Sequence, residues 1–463
     1  MAASPGADRN YVAANSAGGR IEADARLRDG PTTSSVRSQA LLDLGRVIQG
    51  HSIESIDFRF TNVLGHWCSF TSRIADLDLS LYKTLGGFRG QAIPWSRDLP
   101  ALDPLVVPDF ESAFLDPFAD TPTLVVTCNV HDLITRQGST HDSRSVAQRI
   151  ETYIQSTHIG GSPSFTIEIA GVRAGGSRRH RSSDESGPNF RGGGQPVASG
   201  CNGVGRPFEL HGWDPRAIIG SLESAGIEIK NRDTFVSGEP VSLVISADSA
   251  SRAADRLMFC KYVIDRLSRP DGSMSVLTEQ GSAFEDIHIL VCQRIWRKGR
   301  PLFAGDGHGG TSAIMRHYAA GLVEHTPALL EVFAMARSAG STAFATAGST
   351  VDSEGAQGEF NASNHVSLLF QDPKAMSVTF ACPSVPSNPY LALAGIVLAG
   401  IDGFNYRIYN VDPNQPLEKF FRQQASNSRA SSGASREFLF AGGLFTPELL
   451  SAVATARVAS DKR

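Results

Sequence analysis

The first third of the chain alternates hydrophobic and polar positions in short runs, a pattern typical of half-buried strands. In the stretch IDFRF, Ile56, Phe58 and Phe60 alternate with polar neighbours. A second run, TPTLVVTCNV, indicates a continuously buried strand and follows the turn-forming stretch LDPFAD. These patterns predict a strand-rich region in the N-terminal part of the chain.

A helical period replaces the strand period near residue 141. The stretch DSRSVAQRIETYIQSTHI places Val146, Ile150, Tyr153 and Ile154 at helical spacing. We therefore expect a domain boundary here, with an N-terminal domain at 39–141 and a larger domain at 142–463. Residues 1–38 are rich in Ala, Gly, Ser and charged residues, so they are predicted to form a disordered leader.

The larger domain mixes strand and helix patterns without strict alternation. SFTIEIAGV predicts a strand with Phe165, Ile167 and Ile169 on one face. Helical spacing recurs near residues 214–226, 246–272, 311–337 and 389–402. Pro327 predicts a break in the third of these helices, because proline removes a backbone hydrogen-bond donor. The mixture favours an α+β fold over a doubly wound sheet. The glycine-, serine- and arginine-rich residues 173–206 predict a flexible insertion.

Charge and composition exclude some classes of partner. The chain has 463 residues and a formal net charge of -4, which gives no electrostatic footprint for nucleic acid or an anionic membrane. No apolar run reaches the length that spans a bilayer. The six cysteines are scattered without a CxxC pair, so we expect reduced thiols in a cytoplasmic protein.

Several segments, taken in order, resemble type I glutamine synthetases. They are DPFADTPTLVVTCNV, DSRSVAQRIETYIQSTHI, LFAGD, NPYLALAGIVLAGIDG and REFLFAGGLFTPELL, and they are collinear over most of the chain. The resemblance implies a small N-terminal β-grasp domain and a large domain with a curved antiparallel sheet and flanking helices. It also implies a homo-oligomeric ring, in which ATP phosphorylates glutamate before ammonia displaces the phosphate.

That reaction concentrates negative charge, so it depends on divalent cations, their oxygen ligands and nearby cationic side chains. The Glu-x-Glu strand of the family matches Thr166 to Ile169, where Glu168 is the one carboxylate. Asp233, with Glu239 nearby, matches a second carboxylate segment. The histidine-bearing strand matches GSAFEDIHIL and places Glu285 and Ile287 at the two alternate positions, with His288 one residue out of phase. The resemblance thus implies Glu168, Asp233 and Glu285 as candidate metal ligands.

The other charged positions of the family site are mostly changed. A metal-binding glutamate aligns with Thr379 and a phosphate-binding arginine with Ala381, while Lys374 remains as a candidate nucleotide-binding residue. The region 338–366, which matches arginine-bearing loops of the family, contains no Arg or Lys. The loop SLYKTLGGFRG lacks the aspartate that binds ammonium in the family. No catalytic residue is therefore assigned.

Two hypotheses account for this pattern. One is a pseudoenzyme with a structural or regulatory role, as a homo-oligomer or in a hetero-oligomer with an active homologue. The other is a non-canonical ATP-dependent carboxylate–amine ligase of the γ-glutamyl-amide type in a specialised biosynthetic pathway. It requires ATP, magnesium or manganese, and a rearranged site formed by Glu168, Asp233, Glu239, Glu285, Asp286 and His288. The short C-terminal segment after AGGLFT favours a single ring or smaller oligomer over a double ring.

Overall fold

The computed structural model describes residues 34–77, 82, 86–89, 104–157, 159–172, 215–229, 240–267, 288–333, 359–370, 372–382, 388–405, 414–428 and 436–460. The predicted leader lies mostly outside these residues, and a helix begins within it at Ser34. The predicted insertion, 173–206, lies outside them after Val172. No helix in the described part of the chain is long and apolar enough to cross a membrane.

The N-terminal part is one helix against a five-stranded mixed sheet. Its elements are α1 (Ser34–Gly50), β1 (Ser55–Thr61), β2 (Trp67–Arg73), β3 (Phe88–Arg89), β4 (Pro104–Leu115) and β5 (Thr123–Asp132). The strand order is β2-β1-β5-β4-β3. Strands β1 and β5 are parallel and the other neighbours are antiparallel.

The predicted alternation in β1 is confirmed on its hydrophobic face. Ile56, Phe58 and Phe60 are fully buried and belong to the core of the five-stranded sheet. The intervening Asp57 and Arg59 are also buried, because the other face of β1 packs against the larger part of the molecule. The sequence of β1 alternates hydrophobic and polar residues, but both faces of the strand are buried.

In the larger part of the molecule, helices flank a seven-stranded antiparallel sheet. Its strands are β6 (Ser162–Val172), β7 (Pro240–Ala247), β8 (His288–Arg297), β9 (Arg300–Pro301), β10 (Glu359–Asn361), β11 (Val366–Leu369) and β12 (Ser377–Cys382). The order is β10-β11-β12-β8-β6-β7, with β9 paired to β8. The helices are α2 (Ser143–Ser156), α3 (Pro215–Ser224), α4 (Ala250–Leu267), α5 (Ala313–Val332), α6 (Pro389–Asn405), α7 (Leu417–Ser428) and α8 (Pro447–Ser460).

This arrangement confirms the predicted α+β class, with a β-grasp-type N-terminal sheet and a larger antiparallel sheet flanked by helices. The predicted boundary near residue 141 lies between the last strand of one sheet and the first strand of the other. The central helix α6 is buried along most of its length, since residues from Pro389 to Ile401 have almost no exposed surface. It contacts α2, α4 and α5, so it forms the centre of the larger core.

The predicted break at Pro327 is wrong, because α5 continues through this residue to Val332. The proline removes one backbone donor, but the helix beyond it buries Ala328, Leu329 and Val332 in the core. Burial of side chains the size of Leu329 and Val332 contributes about 1.5–3 kcal/mol each, which offsets the weakened backbone hydrogen bonding.

Candidate functional site

The two faces of the larger sheet differ in burial. On one face, residues such as Ile167, Val291 and Phe380 pack into the helical core. The other face is mostly half-buried, and we call it the open face. Its described side chains are Ser162, Ser164, Thr166, Glu168, Val244, Ser246, Leu290, Cys292, Arg294, Trp296, Asn361, Ser367, Leu369, Ser377, Thr379 and Ala381.

A row of small neutral side chains crosses the open face at its middle. The strand register pairs Ser246 with Thr166, Thr166 with Cys292, Cys292 with Thr379, and Thr379 with Ser367. Residues paired across strands have side chains on the same face, close enough to contact one another. We call these five residues the neutral row. Each of them is half-buried, and each side chain carries a hydroxyl or a thiol rather than a carboxylate or a cationic group.

The next row of the open face contains one carboxylate. Glu168 pairs with Val244 on one side and with Leu290 on the other, and Leu290 pairs with Ala381. The three neighbours of Glu168 in this row are therefore apolar. Glu168 and Arg294 carry charges on this face, and Glu359 occupies a position at its edge, where its backbone pairs with Leu369.

These side chains do not fit a magnesium or manganese site. Hard divalent cations require several oxygen ligands, with carboxylates supplying most of the charge. The two residues that pair directly with Glu168, Val244 and Leu290, are both apolar and supply no metal ligand. Within the described ranges, no group of three or more His, Cys, Asp or Glu is placed to hold a metal ion.

The structure positions part of the predicted set. Glu168 lies on β6 at the open face, and Lys374 is exposed in the turn that precedes β12, where its backbone amide donates to Asp372 Oδ1 (2.9 Å). Thr379 and Ala381 lie on the open face as the resemblance implied. Asp233 and Glu285 lie outside the described residues, as do Glu239 and Asp286.

The register also identifies which residues of β8 face Glu168 and Thr379. Leu290 pairs with Glu168 and Cys292 pairs with Thr379, while Glu285 and Ile287 lie outside the described residues. His288 begins β8 with its backbone opposite Ala170, so it has the same register as Leu290 and Cys292. The β8 residue paired with Glu168 is therefore the apolar Leu290, and His288 lies two positions earlier, at the start of the strand.

Sequence interpretation missed Arg294 and Trp296, which also belong to the open face. Arg294 Nη1 donates to Thr166 Oγ1 (3.1 Å), and its Nε donates to the Ala375 carbonyl (3.4 Å). Trp296 Nε1 donates to Ser164 Oγ (3.1 Å). The period of two in HILVCQRIW places both on one face with Cys292, and this signal could have identified them.

A buried ionic cluster holds the two parts of the molecule together behind the sheet. Arg144 of α2 donates from Nε and Nη2 to Asp255 of α4 (2.9 and 2.8 Å) and from Nη2 to Asp109 of β4 (2.6 Å). Burial alone would lower the pKa of Arg144, but Asp255 and Asp109 outweigh burial and hold its pKa well above the usual value. Arg252 joins the same cluster through Asp109 and Glu111.

A second buried cluster surrounds Arg59. Its Nε donates to Asp57 Oδ2 (2.6 Å) and its Nη2 donates to Asp116 Oδ2 (2.7 Å). The guanidinium carbon lies 4.8 Å from the ring centre of Trp67 and 4.6 Å from that of Tyr262. Burial, followed by the Asp116 carboxylate, raises the pKa of Tyr262 to about 12. Because Arg59 belongs to β1 and Tyr262 to α4, this cluster also joins the two parts.

Hydrogen bonds of the Asn388 side chain fix the start of helix α6, in the stretch NPYLALAGIVLAGIDG. The Asn388 side-chain amide donates to the Asn62 and Val63 carbonyls (3.1 and 3.2 Å) and to Ser143 Oγ (2.7 Å). Its side-chain oxygen accepts the Leu391 amide at 3.3 Å. Asn388 therefore fixes the start of α6 against both the N-terminal sheet and α2, immediately after the strand whose charges are missing.

Comparison with known families matches nearly the whole described molecule. The family model described as glutamine synthetase, catalytic domain, matches residues 140–434, and the model described as glutamine synthetase, beta-Grasp domain, matches residues 52–133. Relatives named glutamine synthetase come from Nostoc sp. (28% identity, 80% of this chain and 82% of the relative) and Frankia alni (29%, 88% and 92%).

The relatives include proteins with other names. A 3-hydroxylaminophenol mutase of Cupriavidus pinatubonensis is 27% identical over 90% of this chain and 94% of its own length. Among solved structures, a Plasmodium falciparum glutamine synthetase superposes with a TM-score of 0.62 at 13% identity, covering 91% of this chain and 96% of its own. A GmaS–ADP complex has the same coverage, with a TM-score of 0.57 at 18% identity. At these identities, the two structures show a shared fold alone.

Proposed function

The chain belongs to the glutamine synthetase family, and we propose that within it the chain is a pseudoenzyme with a structural or regulatory role. The single observation that carries this proposal is the neutral row of the open face, where Thr379, Cys292 and Thr166 lie side by side. These residues lie at the centre of the sheet, in the row next to that of Glu168. In this proposal the chain keeps the fold of the family and has lost its metal-dependent chemistry.

Phosphoryl transfer from ATP to a carboxylate brings two negatively charged groups together. The γ-phosphate of ATP and an acceptor carboxylate repel each other unless metal ions and cationic groups neutralise them. Hydroxyl and thiol side chains donate hydrogen bonds but supply neither the charge nor the multiple oxygen ligands that a divalent cation needs. A site made of such residues cannot bring the two anions together at a useful rate.

Retention of the core supports a role that uses the folded molecule. Helix α6 and the two ionic clusters remain closely packed, although the neighbouring strand β12 lacks charged residues. General decay of an unused protein would have affected core positions as well. We propose that the chain acts in the cytoplasm within an oligomer, either of identical subunits or with an active homologue.

The alternative function is an ATP-dependent carboxylate–amine ligase outside the usual reaction of the family. Its support is Glu168 on the open face, exposed Lys374, and relatives whose names differ from glutamine synthetase. In this alternative, Asp233 and Glu285 complete a metal site with Glu168, and Lys374 contacts ATP. It requires these residues to converge on one pocket.

A turnover assay with the full chain separates the two functions. Purified protein is incubated with ATP, Mg²⁺ or Mn²⁺, and a panel of carboxylates and amines, and ADP release is measured. The proposal predicts ADP release at the background rate with every pair. Robust metal-dependent turnover that Glu168→Ala reduces at least tenfold would establish the ligase instead. Robust metal-dependent turnover that Glu168→Ala leaves unchanged would also contradict the pseudoenzyme, and it would place the active site on other residues.

A further inference from the structure

We infer that the open face carries a metal-independent anion site centred on Arg294, which takes the carboxylate or phosphate group of a small ligand. This inference rests on the proposed function, because it gives a ligand class to the face that we propose has lost its metal chemistry. The site consists of the Arg294 guanidinium, the hydroxyl of Thr166 that orients it, and Lys374 at the rim.

The orientation of Arg294 is fixed by two elements. Its Nη1 is bound to Thr166 Oγ1 on β6, and its Nε lies within 3.4 Å of the Ala375 carbonyl in the turn before β12. These contacts hold the guanidinium across the face between two strands. Its Nη2 has no hydrogen-bond partner within the described part of the chain. An oriented guanidinium with donors to spare is suited to bidentate recognition of an anion.

The charge of Arg294 is not neutralised by a described carboxylate. Arg59, Arg144 and Arg252, which are also buried or half-buried, form ion pairs with aspartate or glutamate. Arg294 instead contacts a hydroxyl and a carbonyl, which are both neutral. A guanidinium remains protonated in proteins, so this face keeps a positive charge that attracts anions.

The remaining described residues of the face leave Arg294 without an ion pair. Glu168 follows Thr166 by two residues on the same face of β6, about 7 Å along the strand from the hydroxyl that contacts Arg294. This spacing is longer than the limit of about 4 Å for an ion pair, so the donors of Arg294 stay available to a ligand.

Lys374 extends the site toward its rim. It is exposed and directly precedes Ala375, whose carbonyl contacts Arg294. A flexible ammonium beside a fixed guanidinium allows one anion to contact both, or a larger ligand to place a second negative group at the rim. Asp372 in the same turn is also exposed, and its Oδ1 accepts the Lys374 backbone amide. The predicted nucleotide-binding lysine thus has a role that requires no metal.

The test measures anion binding by the full chain in the presence of EDTA, without ATP. Inorganic phosphate and succinate are titrated separately by calorimetry at low ionic strength. We expect saturable binding of at least one of them, weakened at least tenfold by Arg294→Gln. The control is Arg300→Gln, which removes an exposed arginine from the adjacent β9 and should bind as the wild type does. Binding of phosphate alone indicates a phosphate-bearing ligand, and binding of succinate alone indicates a carboxylate.

Two results would overturn the inference. One is the absence of binding by both anions, and the other is binding that Arg294→Gln leaves unchanged. If Arg294→Gln fails to fold by circular dichroism, Arg294→Lys replaces it, and this variant should bind with intermediate affinity because it keeps the charge without the planar fork. The anion titration contains neither ATP nor metal, so it is independent of the turnover assay. Absence of anion binding would not change the measured ADP release, and metal-dependent ADP release would not change the measured anion binding.

Discussion

At the scale of single residues, Arg59 is held by contacts with both parts of the molecule. It contacts two carboxylates and two aromatic rings, and its side chain is 9% exposed. Burial alone would lower its pKa, but Asp57 and the neighbouring Tyr262 and Asp116 outweigh burial and raise it. The charge is therefore maintained in the folded state by partners from both parts of the molecule.

Removing this charge is predicted to destabilise the protein strongly. Arg59→Gln leaves Asp57 and Asp116 buried without their cation, and loss of one partner of a buried pair costs about 3–5 kcal/mol. The free energy of unfolding in guanidinium chloride measures the effect. The control is Arg73→Gln, which removes an exposed pair with Asp76 and should change stability by less than about 1 kcal/mol. Equal, small effects of the two variants would show that the Arg59 cluster adds little.

His365 is predicted to make the protein less stable in mild acid. Burial lowers the pKa of His365, and its hydrogen bond to the Ala381 carbonyl reduces that shift without reversing it. The folded state thus binds the proton less tightly than the unfolded chain. The neutral imidazole contributes its full stability above the unfolded pKa, about 6.5, and this stability is lost as pH falls below that value toward the lower folded pKa.

The measurement is the free energy of unfolding at pH 7.5 and pH 5.5 for wild type and His365→Asn. The variant should lose less stability than the wild type between the two pH values, whatever its stability at pH 7.5. Exposed His51→Asn is the matched control, with the pH dependence of the wild type. An unchanged pH dependence in His365→Asn would contradict the assignment.

At the scale of elements, close contact between α5 and α6 depends on glycine. A Cβ atom at Gly321 would lie 2.2 Å from the Ala399 carbonyl oxygen, and one at Gly403 would lie 2.3 Å from the His317 carbonyl oxygen. Both neighbours are backbone atoms of the facing helix, so they cannot move without separating the helices. The two helices are therefore packed at a distance that side chains at these positions would prevent.

Gly321→Ala is predicted to destabilise the protein by about 1–3 kcal/mol, because the added methyl group forces α5 and α6 apart. The matched control is Gly220→Ala in α3, where a Cβ atom meets nothing within 4 Å. There the substitution should stabilise by about 0.5–1 kcal/mol through better helix propensity. Thermal unfolding compares the two variants, and a shift of the same sign in both would contradict the packing argument.

The sequence predicts which residues of a strand are buried better than it predicts how distant strands pair. The period of two in β6 correctly predicts the burial of Phe165, Ile167 and Ile169, because burial on one face depends on local alternation. The partners of Glu168 on β8 were not predictable, because register depends on pairing between distant segments. The resemblance implied Glu285 as a candidate metal ligand from this segment without giving the partner of Glu168, which the ladder shows to be Leu290. Continuation of α5 through Pro327 was missed for a related reason, since tertiary burial outweighed a local preference.

At the scale of the whole molecule, the two sheets are coupled by charge as well as by packing. Arg144, Asp109 and Asp255 come from α2, β4 and α4, and these elements belong to both parts. Burial would raise the pKa of Asp109, but Arg144 and Arg252 outweigh it and lower the pKa overall. Both sheets and their connection are therefore kept intact around an open face that has few charges.

The central claim is that this scaffold no longer supports metal-dependent use of ATP, and the most direct test is binding of ATP itself. ATP is titrated by calorimetry into the full chain, first with excess Mg²⁺ or Mn²⁺ and then with EDTA. The account predicts that metal produces no gain in affinity and that millimolar ATP gives no metal-dependent heat. Tight binding of ATP that requires the metal and disappears in EDTA would contradict it.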